Sequence, residues 1–129
     1  IADDYFSTRW FLGQYKELTG KDIAGVKELA ELADLDKTAK DLFADFGSRL
    51  GVFLAPWLTG FRAEILVIGG NISHAYNLFG EVFEESLRKE KCNCKVSLST
   101  LKEDAAILGS AYLLDENFWK SVQHALPLM

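Results

Sequence analysis

The chain has 129 residues, a formal net charge of −5 and 49% apolar side chains. That is the size of one domain with enough apolar material for a core. The acidic balance excludes a nucleic-acid surface in this segment, because phosphate binding needs clustered Lys and Arg. No apolar run reaches the roughly 20 residues of a membrane span. No signal peptide is visible either, so a cytoplasmic location is expected.

The chain opens on Ile1 rather than Met. The expectation is a fragment, with further strands or a domain upstream. Residues 4–18 place Phe6, Trp10, Phe11 and Leu18 near helical spacing, and Thr19-Gly20 reads as a helix stop. Residues 22–33 repeat the pattern with Ile23, Val26, Leu29, Ala30 and Ala33, capped by Asp22. Asp34 and Asp36 then offer caps for a third helix over 37–58.

That helix carries Phe43, Phe46, Leu50, Phe53, Leu54 and Trp57 on one side. A second row, Gly47, Gly51 and Ala55, is small. Glycine within a helix costs about 1 kcal/mol against Ala, so the row needs a reason. Either another helix packs tightly there or the helix crosses a hinge between lobes. Pro56 predicts a kink or an end.

The period then changes. Residues 63–70 form a continuous apolar, β-branched run ending in Gly69-Gly70. Such a run marks a strand buried on both faces, as in a parallel sheet. Residues 74–88 return to helix, with Ala75, Leu78, Phe79, Val82, Phe83 and Leu87 inward. A second strand follows at 94–100, with Val96 and Leu98 alternating, and helices are expected over 102–114 and 115–125. The order β-α-β-α suits parallel crossovers. Two strands alone make a poor sheet, so more are expected from upstream or from a partner.

Ligands of open parallel sheets bind beyond the carboxyl ends of strands, which is where Gly69-Gly70 stands. Without Cβ atoms the backbone there can take unusual dihedrals and let a ligand approach. A helix start near Ser73 and His74 would add free N–H groups and a positive dipole end. The stretch is neither G-x-G-x-x-G nor a P-loop. On local chemistry alone, a tight turn and a ligand contact both stay open.

Other residues read as structural. Cys92 and Cys94 are one residue apart, and His74 and His124 lie in other segments. Zinc ligand pairs leave two to four residues between them and need two more ligands, so no metal site is expected and the cysteines read as free thiols. Arg88-Lys89-Glu90-Lys91 reads as a solvated helix end. Trp10, Trp57 and Trp119 read as core or interface anchors.

Four ordered motifs carry a family resemblance. Asp3-Asp4-Tyr5-Phe6-Ser7 is similar to an E-x-Y-x-S segment, and Gly51 to a glycine inside a long helix. Gly69-Gly70-Asn71 is similar to a strand-ending "GGG" or "GGN", and residues 104–111 to "DAAxxGAA". In this order they resemble the C-terminal half of the ROK family of sugar kinases and transcriptional repressors.

The resemblance implies an α/β fold. It would be the C-terminal part of an actin-like, ribonuclease H-like ATPase domain, helix-rich with at least two parallel strands. Residues 1–129 would be one partial domain, with the N-terminal lobe upstream. Gly69, Gly70 and Asn71 would contact the nucleotide, Gly51 would pack near the interlobe hinge, and Asp3 would contact the sugar. The family glutamate is replaced at Asp3 by a shorter carboxylate, and its third turn glycine by Asn71.

The family phosphorylates hexoses or N-acylhexosamines with ATP and Mg2+. Its catalytic aspartate belongs to the upstream lobe, so no catalytic residue is expected in this chain and the fragment alone is expected to be inactive. Partners implied are a sugar, the missing lobe and a second copy in a homodimer. Three readings follow: the lobe of a sugar kinase, the sugar-sensing lobe of a repressor, and a domain that keeps the fold without a ligand.

Overall fold

A computed structural model describes residues 4–100, 104–112 and 114–122. Helix α1 spans Thr8–Thr19. It begins later than the apolar spacing suggested, because Ser7 caps it and its Oγ accepts from the Trp10 amide at 3.3 Å. Its stop is the one expected: Gly20 is left-handed at φ 71° and its N–H donates to the Lys16 carbonyl. Helix α2 is only Val26–Leu32, with Gly25 as its cap. Asp22 does not cap it, as expected from sequence, but pairs with Lys16 at 2.7 Å.

Helix α3 spans Lys37–Gly60. Asp36, not Asp34, is the cap, accepting from the Thr38 and Ala39 amides. Its second oxygen accepts from the Tyr15 hydroxyl at 2.8 Å, which ties α1 to the start of α3. The Tyr15 hydrogen bond, ahead of the two amides, holds the Asp36 carboxyl below its ordinary range.

Pro56 neither ends nor closes α3, which runs four residues further. Proline frees the carbonyl four residues back, here that of Val52. Val52 and Pro56 both lie on an exposed stretch, where water can satisfy that group. Phe53 and Trp57, expected inward, are 41% and 58% exposed. The reason is the neighbouring row: Gly47, Gly51 and Ala55 form the buried seam, which turns Phe53 and Trp57 outward.

The seam faces helix α4, Tyr76–Lys89. A Cβ on Gly47 would stand 2.5 Å from the Phe79 carbonyl oxygen. One on Gly51 would stand 2.5 Å from Ser86 Cβ and 2.9 Å from the Phe83 oxygen. Two helix backbones meet there with no room for a methyl group. Around the seam the aromatic rings close the core. Phe11 stacks on Phe43 and Phe46 with centroids 4.8 and 5.0 Å apart, and Phe46 meets Phe79 edge-on at 5.1 Å.

Strands β1, Ile65–Ile68, and β2, Lys95–Leu98, pair in parallel with Ile65 opposite Lys95. Each follows a helix through the same turn. Arg62 and Lys91 are left-handed at φ 51° and 58°. The amides after them, Ala63 and Cys92, donate back to Leu58 and Leu87 at 2.9 Å. This six-residue return satisfies the last helical carbonyls and aims the chain into a strand.

Leu66, Ile68 and Val96 lean on the core, whereas Ile65 and Val67 are 57% and 61% exposed. The strand expected to be buried on both faces is therefore covered on one only. Helix α5 is Asp104–Tyr112 and α6 is Glu116–Val122. Leu114 and Asp115, expected in these helices, lie in the turn between them; the other residues expected there lie outside the described residues, as does His124.

Alanine at Gly51 gains about 1 kcal/mol of helix propensity but overpacks the seam at about 1–3 kcal/mol. The contact is with backbone, which cannot move aside, so Gly51→Ala is expected to destabilise the chain by about 1–2 kcal/mol. Denaturant unfolding checks this, with Gly13→Ala as control. Gly13 also lies within a helix but has nothing within 4 Å of its Cβ position, and its replacement is expected to stabilise.

Candidate functional site

The turn after β1 is built by Gly70. Its dihedrals, φ 67° and ψ −169°, fall in a region that essentially only glycine occupies. The chain then forms a short 3-10 helix, Asn71–Ala75. Ser73 locks it: its amide and its Oγ both reach the Gly70 carbonyl, at 3.2 and 2.8 Å.

This corrects the expected helix start near Ser73 and His74. The α-helix begins at Tyr76, and the Ser73 amide is already used inside the turn. The site is therefore a bare backbone corner, not an α-helix N-terminus. Burial, then a 2.7 Å hydrogen bond to Glu84, pushes the Tyr76 hydroxyl up, so it remains a neutral donor.

Gly69 and Gly70 differ in what they require. A Cβ on Gly69 would touch Ser99 Cβ at 3.4 Å, an ordinary contact, and Gly70 has open space around its Cβ position. Gly70 is needed for its dihedrals. Nothing in the fold needs Gly69 to be small. Both are exposed, so the corner presents main chain to whatever approaches.

Beside the corner runs an open groove of about 1070 Å³. Asn71, His74 and Asn77 line one side, and Lys27, Glu28 and Glu31 of α2 line the other. Val26, Ala30, Phe46, Leu50, Ile72 and Leu78 give it an apolar floor. Of the residues named from sequence, Asn71 lines the groove, and Gly69 and Gly70 precede it at the corner. Gly51 does not; it lies in the α3–α4 seam. Asp3 lies outside the described residues. The groove wall on α2 was missed, because its residues read only as one amphipathic helix; the break at Gly25 was the available signal.

The model of the ROK family matches residues 2–117. The chain belongs to the ROK family. The fold agrees with a crystal structure from Cytophaga hutchinsonii ATCC 33406, a provisionally assigned sugar kinase, at a TM-score of 0.75 and 19% identity. That match covers 87% of this chain and 43% of the other, so this ROK chain spans less than half the length of its structural neighbour. No curated protein matches the sequence significantly. The architecture is thus the helix-rich α/β part of an actin-like ATPase fold. Among the described residues no helix is long and apolar enough to cross a membrane.

Strain separates the two glycines. Gly70→Ala is expected to lower stability by about 1–3 kcal/mol, the cost of holding a side chain in that region. Gly69→Ala is expected to stay within about 0.5 kcal/mol of the parent. Chemical denaturation of both variants reads the difference.

Proposed function

We propose that this ROK chain is the C-terminal lobe of a sugar kinase and forms one wall of its nucleotide cleft. The observation that carries the reading is the exposed glycine corner at the carboxyl end of a parallel strand, opening beside a groove. A fold needs Gly70 there but not Gly69, and a ligand lying against the main chain would need both. The family membership and the sugar-kinase designation of the structural neighbour support the reading.

The groove's chemistry fits a nucleoside. Its floor is apolar, as a base requires, and its rim holds amides and carboxylates that can hydrogen-bond to base and ribose edges. Gly69 and Gly70 would let the phosphates approach the backbone, with Asn71 beside them. When bound, ATP supplies the transferred phosphoryl group, and catalysis is then mostly positioning and charge stabilisation. Among the described residues no three His, Cys, Asp or Glu side chains gather. In this reading the ligands of Mg2+ are phosphates and groups elsewhere in the intact protein.

The sugar is a hexose or N-acylhexosamine, and the base that deprotonates its hydroxyl belongs to the other lobe. The one-sided burial of β1 supports a further layer packed on its open face: Ile65 and Val67 await cover. The 43% coverage of the neighbour supports the same view. The homodimer implied by the family remains a proposal alongside it.

Gly69→Val in the intact protein is the sharpest test. The variant is expected to keep its fold and to lose ATP affinity by at least about tenfold, which is 1.4 kcal/mol. Calorimetric titration that finds the parental affinity would remove the glycine corner from the nucleotide site.

A further inference from the structure

Ser99 follows the last residue of β2, and its amide donates to the Ile68 carbonyl at 2.8 Å. That bond carries the parallel pairing one step past the strands. In the register, Leu66 and Ile68 stand beside Val96 and Leu98, and Ile65 and Val67 beside Lys95 and Ser97. The next positions are Gly69 and Ser99. Side chains alternate between the two faces of a sheet, so both belong to the open face of Ile65 and Val67. The distances agree: Ser99 Cβ lies 3.4 Å and Ser99 Oγ 3.9 Å from where a Cβ on Gly69 would stand.

On that face β1 therefore ends in a missing side chain, with a hydroxyl beside the gap. Ser99 is half-buried, while Gly69 and Gly70 are exposed. A larger residue at 69 would fit the fold but stand over the Ser99 hydroxyl. Packing gave no reason for a glycine at 69; access to this hydroxyl gives one. A serine hydroxyl carries one donor and two acceptor pairs and rotates to suit its partners, so it can turn its proton toward an anionic oxygen.

We propose that Ser99 is a phosphate-contact residue: across the gap at Gly69, its hydroxyl donates to a phosphate oxygen of a bound nucleoside triphosphate. The proposal rests on the nucleotide reading of the corner. Serine hydroxyls and exposed main chain are common phosphate partners, and the corner brings both together. Charge sets the direction of the ligand. The α2 wall of the groove carries Glu28 and Glu31 against Lys27, so like charge turns the triphosphate away from it. Asn71 lines the groove only two residues after Gly69, so a nucleoside in the groove delivers its phosphates to the strand ends.

Calorimetric titration of the intact protein with ATP and with adenosine tests the contact. Ser99→Ala is expected to weaken ATP binding by at least about tenfold, the worth of one hydrogen bond to a charged group, and to leave adenosine binding at the parental value. Ser99→Cys, close in shape but a weak donor, should show the same split, and both variants should keep the parental circular dichroism. Parental ATP affinity in a folded variant, or equal losses of ATP and adenosine, would overturn the contact. Gly69→Val distinguishes this from failure of the reading beneath. If Gly69→Val loses ATP and the Ser99 variants do not, only the Ser99 contact falls. If none of them loses ATP, the nucleotide corner falls with it.

Discussion

The structure depends on the close approach of α3 and α4 across Gly47, Gly51 and Ala55. A methyl group at either glycine would collide with the backbone or Cβ atoms of Phe79, Phe83 or Ser86. The seam lets Phe43, Phe46, Phe79 and Phe83 close into one core, since all four are almost fully buried. Because only the short 3-10 helix Asn71–Ala75 separates the glycine corner from α4, fixing α4 on α3 also holds the corner. The same contact carries Asn71 and Asn77 to one side of the groove.

The other side is set independently. Tyr15 and Asp36 bind α1 to the start of α3, and the short α2 between them is left facing Asn71 across the groove. Two local devices thus position the two walls: a steric seam and a half-buried hydroxyl–carboxylate bond. The turn itself adds strain that only Gly70 relieves, and Ser73 over-determines it with two hydrogen bonds to one carbonyl. The corner is therefore both glycine-dependent and rigidly held while it stays exposed.

Much of this was legible from residue spacing. The small row on α3 announced a close partner, and the apolar run into Gly69-Gly70 announced a parallel strand and its turn. The order of four motifs announced the family. What was not legible needed distances between segments. Phe53 and Trp57 share the helical face of Phe46 by sequence, yet the glycine seam rotates them outward. The β-branched run at 65–68 carries no sign that one face of β1 stays open in this chain. Gly25 falls inside the helix expected over 22–33 and looked like an interior glycine rather than the boundary that shapes the groove. Asp22 looked like a cap because caps are acidic, but a lysine one helix earlier claims it.

The central claim is that the glycine corner and α2 are two walls of one nucleotide site. Amide hydrogen exchange of the intact protein, with and without a non-hydrolysable ATP analogue, tests it most directly, because bound ligand raises the local opening free energy where it makes contact. The account predicts added protection at residues 69–72 and at residues 25–31 together. Saturating nucleotide that protects other segments and leaves both of these unchanged would contradict it.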